Sequence, residues 1–309
     1  MARAHRPASR GRIPARSLGL LIIATVVLVT ACSGSTPGSS SSGLPSTSSA
    51  SLIPLPTATP DLSSPVGVIA MGHSGLTGEG TGDQPQAKVE NSWATGNAPD
   101  VNSVYLRLVA ARPETEGHLQ NTASGGAPAS LLLGQTQSAL SVVPVPALAI
   151  ISSIDSDIQC DGTDPDHIPE FGMAVAAALD AISTASPNTR ILVVGQLGRP
   201  RVDFVEELVA HDPSVKPYLT GSGMCDFYDS AGKIVPEHFE ALTAIIDAYE
   251  AEQARVCALV PHCATDEGAR AAYVDKLENF SSDWNHLNVR GQAAEAELIW
   301  PVVAKLLEL

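Results

Sequence analysis

Positive charge is scarce in this 309-residue sequence: 18 Lys and Arg stand against 33 Asp and Glu, a net charge of −15. Residues 1–31 hold five of those 18 and none of the 33, so the remainder carries 13 against 33, a net −20. A field of that sign excludes nucleic acid and anionic lipid surfaces as natural partners. Long apolar runs are missing too. Residues 17–28 (SLGLLIIATVVL) form a run of about a dozen, short of the roughly 20 that a membrane span requires. There is no Arg-Arg pair, which removes the twin-arginine export route, and no internal repeat, which removes solenoid architectures. No asparagine occurs between Asn121 and Asn188. The spacing of Cys257, His262 and Cys263 matches none of the familiar zinc patterns, so no metal is expected.

What is present begins with Arg3, Arg6, Arg10, Arg12 and Arg16, then the apolar run, then Val29-Thr30-Ala31-Cys32. A basic start, a short apolar stretch and small residues before a cut site describe an export signal over 1–31. Cysteine directly after the cut resembles the bacterial lipobox, which implies lipidation of Cys32 and anchorage on the outer face of the cell membrane. Residues 33–65 are Ser, Thr, Pro, Gly and Ala with scarcely a large side chain, so residues 32–65 read as a lipidated cysteine on a disordered tether. Cys160, Cys225, Cys257 and Cys263 remain, an even number in an exported chain. Four cysteines allow three connectivities; Cys160–Cys225 with Cys257–Cys263 is the pairing expected here.

Residues 66–309 suit one domain. The chain centres on VGVIAMGHSGLTG, residues 66–78, a buried-strand pattern that breaks at Gly72 and presents His73 and Ser74 on a glycine-flexible turn. A helix is expected over 101–112 behind an Asp100 cap, a strand near 118–123, a helix from Pro128 to about 140 and a strand over 147–153. Further helices are expected over 169–184, 202–210, 236–260, 266–279 and 289–307, with a strand over 190–195. Alternation of strand and helix predicts an α/β fold with a mostly parallel sheet. In such a sheet the loops at 72–78, 124–127 and 154–157 lie side by side, where ligands bind.

Near the C-terminus stands Asp283-Trp284-Asn285-His286-Leu287-Asn288. Asp and His three apart on a turn can join carboxylate to imidazole, leaving the far ring nitrogen as base for a serine, whose hydroxyl is a poor nucleophile while protonated. A second Asp-x-x-His, Asp164 to His167, reads as a polar loop with no apolar residues to seat it. Asp157, Gln159, Asp161 and Gly162 partly match a calcium loop, but position twelve is Ile168 rather than Glu. The Gly-x-Ser-x-Gly elbow fails at Leu76.

Gly72-His73-Ser74, Asn121 through Ala127 (NTASGGA), Ile154-Asp155-Ser156-Asp157 and the 283–288 block fall in an order and spacing that resembles the SGNH (GDSL-like) hydrolases, over the whole of 66–309. The resemblance implies a flavodoxin-like three-layer α/β/α fold and ester hydrolysis without metal or organic cofactor. It implies Ser74 as nucleophile, His286 as base and then acid, Asp283 as its orienting partner, and the Ser74 and Gly126 N–H groups as oxyanion donors. Two positions depart from the family. His73 replaces the usual Asp, and Ser156 occupies the slot of the asparagine that serves as third oxyanion donor. Serine is shorter, and loss of one such donor costs about 10²–10³ in turnover, roughly 3–4 kcal/mol. The expectation is therefore a slow serine esterase or acyl hydrolase, with acyl transfer as a close variant. Its alternative is a non-catalytic binding or scaffold lipoprotein on the same fold. Substrate and oligomeric state have no readable signature.

Overall fold

The computed structural model describes residues 64–82 and 86–309. The expected signal, Cys32 and nearly all of the tether lie outside the described residues. Five strands form one parallel sheet: β1 (Val68–Gly72), β2 (Leu119–Asn121), β3 (Leu148–Ser152), β4 (Arg190–Val194) and β5 (Cys263–Thr265), in the order β2-β1-β3-β4-β5. The chain steps from β1 to β2 on one side, then crosses to β3 on the other, so the sheet reverses direction at β1. Crevices at such a switch point, beyond the carboxyl ends of the strands, are where open α/β sheets hold ligands.

Burial on both faces explains the strand composition, since a parallel sheet covered by helices needs near-continuous apolar runs. Val68, Ala70, Leu148, Ile150, Leu192 and Val194 point to one face, where Val104 and Leu108 of α1 (Val104–Ala111) meet Ile299 and Val303 of α6 (Val289–Leu306). Ile69, Met71, Ala149, Ile151, Ile191 and Val193 point to the other, against α2 (Leu132–Val142), α3 (Asp164–Ala185) and α5 (Pro236–Cys257). Residue-by-residue alternation between two helix layers is the period of an extended strand. Each fully buried Leu, Ile or Val contributes about 1.5–3 kcal/mol. The result is a three-layer α/β/α domain with the flavodoxin-like strand order. Helix α4 (Val202–His211) packs Phe204 and Leu208 against Phe280 and Leu287. That small cluster lies beneath the C-terminal Asp-x-x-His turn.

Most expected elements appear within a few residues of their predicted bounds, and four differ. Helix α1 is capped by Ser103, whose hydroxyl accepts the Leu106 N–H at 3.2 Å, rather than by Asp100. A one-turn 3-10 helix, Ala129–Leu131, precedes α2. Helix α3 starts five residues before 169 and takes Asp164 and His167 into its first turns. Asp164 is buried there because its carboxylate accepts the Gln159 and Cys160 N–H groups at 2.8 and 2.9 Å, a job a polar-loop reading gives it no reason to do. The helix expected over 266–279 does not form. Glu267 and Gly268 adopt φ of +54° and +79°, Asp266 accepts the Arg270 N–H at 2.8 Å, and β5 precedes this turn where the sequence pattern gave no strand.

The disulfides are Cys160–Cys225 and Cys257–Cys263, as expected, so the two sulfurs considered for zinc are bonded to each other. The first closes a loop across 65 positions, worth on the order of 4 kcal/mol in the chain-entropy account. Replacing Cys160 and Cys225 together by serine is expected to lower unfolding free energy by about 2–4 kcal/mol. Urea denaturation of the oxidised proteins measures it; the six-residue Cys257–Cys263 loop is expected to matter less.

Candidate active site

At the end of β1, Gly72 takes φ +140°, and a Cβ there would stand 1.7 Å from the Ser152 carbonyl of β3. Only glycine fits so close an approach. The Gln135 side chain of α2 clamps the same peptide, accepting the Gly72 N–H at 2.7 Å and donating to its carbonyl at 3.0 Å. The chain then turns through a single 3-10 turn, Ser74–Leu76, with His73 as its cap. Ser74 is largely covered, 8% exposed, and the Thr77 hydroxyl donates to its carbonyl at 2.8 Å.

His286 meets this serine from the far end of the chain. Its Nε2 lies 3.0 Å from Ser74 Oγ and its Nδ1 2.7 Å from Asp283 Oδ2. Asp283 Oδ1 accepts the backbone N–H groups of Asn285 and His286 at 2.9 and 3.0 Å and the Ser281 hydroxyl at 2.6 Å. Burial alone raises the Asp283 pKa, yet these hydrogen bonds, with the imidazole foremost, outweigh it and hold the carboxyl well below the usual range. A committed carboxylate takes the Nδ1–H, which leaves Nε2 bare to accept the serine proton. Trp284 sits at φ +54° to close the turn, and its indole N–H donates to Asp212 at 2.9 Å. Leu287 is buried below, so Trp284 and Leu287 seat the pair as anticipated. Gly80, at φ +84°, packs where a Cβ would come within 2.7 Å of His286 Cβ.

The remaining predicted groups divide. The Ser74 and Gly126 N–H groups donate to no other described residue, and the Gly126 loop is tied to the nucleophile strand by Ser124 N–H to the Gly72 carbonyl at 3.1 Å. Both are available to an oxyanion. Neither Ser156 nor Gly126 lines the cavity beside Ser74. Ile154 takes φ +95°, and the turn after β3 directs Asp155 rather than Ser156 to the cavity wall. That cavity, about 50 Å³ or room for about three water molecules, runs from Ser74 and His286 past Gln196, Leu197 and Phe280 to Arg270 and Glu295.

Four features in and around it were not legible in the sequence. Arg270 and Glu295 form a buried ion pair at 2.8 Å, with burial pushing Glu295 up to about 7 against the pull of the guanidinium. Arg270 also donates to the Ser152 hydroxyl at 2.9 Å, and that oxygen lies 3.3 Å from His73 Nε2. His73 Nδ1 accepts the Gly75 N–H at 3.1 Å, so the neutral ring carries its proton on Nε2 and donates it to Ser152. A chain of side chains thus runs from Glu295 to the Gly75 N–H, just after Ser74. The fourth feature, Glu79, places Oε2 3.9 Å from His286 Nε2. Arg270 fell in a stretch that reads as helix, and Glu79 in one that reads as a featureless polar loop; neither sits in a motif that marks it.

No family model matches the chain, and no curated protein matches it. Among solved structures it is similar to an extracellular lipase from Streptomyces rimosus (16% identity, TM-score 0.47, covering 78% of this chain and 99% of that one). It is also similar to a phospholipase A1 from Streptomyces albidoflavus NA297 (14%, 0.47, 78% and 99%). A third is a putative GDSL-like lipase from Parabacteroides merdae (12%, 0.48, 78% and 96%). Likenesses of this degree carry nothing about the reaction.

Burial lowers the His73 pKa from 6.5 to about 4; Asp155 opposes the shift, and Arg270 and His286 add to it. The unfolded chain binds this proton near pH 6.5 and the folded one only near 4. Stability from this residue is therefore complete above about pH 6.5 and lost as pH falls towards 4, by about 3 kcal/mol at most. In His73→Asn the side-chain oxygen can still accept the Gly75 N–H but no longer titrates. Urea unfolding between pH 4 and 7 is expected to show a shallower acid loss in the variant than in the parent.

Proposed function

We propose that this chain is a serine ester hydrolase of SGNH type, exported and lipid-anchored at Cys32. One observation carries the catalytic part: the Ser74–His286–Asp283 relay, at 3.0 and 2.7 Å, opening on a cavity that Ser74 and His286 both line.

In this reading Ser74 Oγ attacks the ester carbonyl carbon while its proton passes to His286 Nε2, and Asp283 stabilises the imidazolium that forms. Charge on the carbonyl oxygen is met by the Ser74 and Gly126 N–H groups. The tetrahedral intermediate collapses as the carbon–oxygen bond to the alcohol breaks, and His286 returns its proton to the departing oxygen. Water, deprotonated by the same nitrogen, then cleaves the acyl-enzyme and restores Ser74. An alcohol in place of that water gives acyl transfer. With Ser156 away from the cleft the hole has two donors rather than three, which predicts turnover about 10²–10³ below a three-donor site. The same vacancy of a third donor favours the second reading, a binding or scaffold lipoprotein on this fold. Two disulfides support an oxidising, exported location.

A fluorophosphonate is expected to modify Ser74, located by peptide mapping, and to leave His286→Ala unlabelled. Hydrolysis of p-nitrophenyl acetate is expected to fall at least about 10³-fold in Ser74→Ala and about 10²–10⁴-fold in Asp283→Asn. Folded protein with no labelling at Ser74 would move the assignment to the binding role. For the anchor, cells fed radiolabelled palmitate are expected to label the parent chain and not Cys32→Ser; equal labelling of both sinks the lipoprotein assignment.

A further inference from the structure

We infer that Glu79 is a specificity-determining residue that selects esters whose alcohol carries a positive charge close to the ester oxygen, and turns away anionic alcohols such as those bearing phosphate. The inference rests on Ser74 and His286 acting as above.

Its ground is where this carboxylate stands. Glu79 Oε2 is 3.9 Å from His286 Nε2, the nitrogen that hands a proton to the departing alcohol. The same oxygen is 3.1 Å from the point where a Cβ on Gly125 would lie, beside the Gly126 oxyanion donor. Glu79 therefore lies between the base and the oxyanion loop. A departing oxygen must come within about 2.6–3.2 Å of Nε2, so the substituent it carries passes this carboxylate.

The backbone fixes that placement. Gly78 and Gly80, at φ +65° and +84°, flank Glu79, the first packed against the Lys88 carbonyl and the second against His286 and Ser281. The Glu79 N–H donates to the Thr77 hydroxyl at 3.3 Å. No described residue donates a hydrogen bond to its carboxylate, so that capacity is open to a substrate. The Lys88 ammonium packs against the same loop, 2.6 Å from the point where a Cβ on Gly82 would lie. Asp155, Asp275 and Glu295 line the cavity on the other side of His286, and its one guanidinium, Arg270, is committed to Glu295, Ser152 and the Gly195 carbonyl. Opposite charges about 6 Å apart at an effective dielectric near 40 correspond to about a tenfold effect, and a like charge at that distance to the reverse.

The test uses two methylphosphonothioates that differ only in the leaving thiol: one carries 2-(trimethylammonio)ethyl, the other the uncharged isostere 3,3-dimethylbutyl. Ser74 Oγ displaces the thiolate from phosphorus, so labelling rates followed by mass spectrometry read leaving-group charge at one chemical step. In the parent protein the cationic probe is expected to react about tenfold faster at low salt, with the ratio shrinking at 0.5 M salt as screening sets in. In Glu79→Gln the ratio is expected to fall below about threefold. Taking a ratio within each protein cancels any general effect of the variant on His286. A parent ratio near one, or a parent ratio insensitive to salt, overturns the inference without need of the variant. A ratio unchanged in Glu79→Gln overturns it as well, while the serine mechanism stands. If neither probe labels Ser74 in folded protein, the hydrolase reading itself fails and takes this inference with it.

Discussion

A hydrogen bond of 3.0 Å joins Ser74 to His286 across 212 positions of chain, and the rest of the molecule is arranged so that it can form. Neither residue is on a regular helix or strand. Each is carried by a short turn, and each turn is held from both sides. On the serine side, Gly72 nests against the Ser152 carbonyl while Gln135 grips both polar atoms of its peptide. On the histidine side, Asn288 caps α6 through the Gly291 N–H at 3.0 Å, and the Ser281 N–H reaches the His286 carbonyl at 2.8 Å. Gly80 then joins the two turns by packing the loop after the nucleophile against the histidine's own Cβ. Precision of this order comes from locked neighbours rather than from the three side chains themselves.

Beneath the cleft the protein buries charge. Arg270 and Glu295 are 2% and 1% exposed, and desolvation of such a pair commonly offsets most of its attraction. The pair earns no obvious stability, but it orients. Arg270 spans β3, β4 and α6 by meeting Ser152, the Gly195 carbonyl and Glu295, and through Ser152 it reaches the His73 ring. The residue before Ser74 is an imidazole that caps the turn and belongs to that network. A carboxylate in the same place would cap the turn but would set a further negative charge beside Asp155 and next to Ser74. An imidazole at position 73 is thus coherent with the acidic wall around it.

The sequence made the layers legible because parallel strands buried on both faces leave uninterrupted apolar runs, as in VIAMG and LAIIS. The Asp283–His286 pair was legible because Trp284 and Leu287 flank it with apolar anchors, and both pack beneath the turn. The rival Asp-x-x-His at 164 and 167 is helical rather than looped, with Asp164 turned inward to the backbone of 159 and 160 and His167 left exposed. What could not be read were roles fixed only by tertiary burial. β5 is three residues long and half-buried, too short to show a period. The stretch around Arg270 has helical composition but folds as a turn because Asp266 captures the Arg270 N–H locally. Glu79 had no signal at all, since its importance lies in two glycines that bring an ordinary polar loop against the histidine.

Ser156 shows how a one-residue change in direction decides chemistry. Its neighbour Ile154 is fully buried at φ +95°, a region that a β-branched residue enters only at a cost of about 1–3 kcal/mol. A glycine there would relieve that cost, so the isoleucine must be held by its packing in the core beside Met71, Ile151 and Val175. Asp157, two residues past Asp155, fixes the other end of the turn: both carboxylate oxygens accept the Ala129 N–H at 3.0 Å, and burial lifts its pKa to about 6. Between a core-anchored Ile154 and a backbone-anchored Asp157, the turn has little freedom to rotate Ser156 inward. Supplying an asparagine at position 156 would therefore change the side chain without changing where the backbone aims it. A side-chain amide already stands on another wall of the cavity, at Gln196.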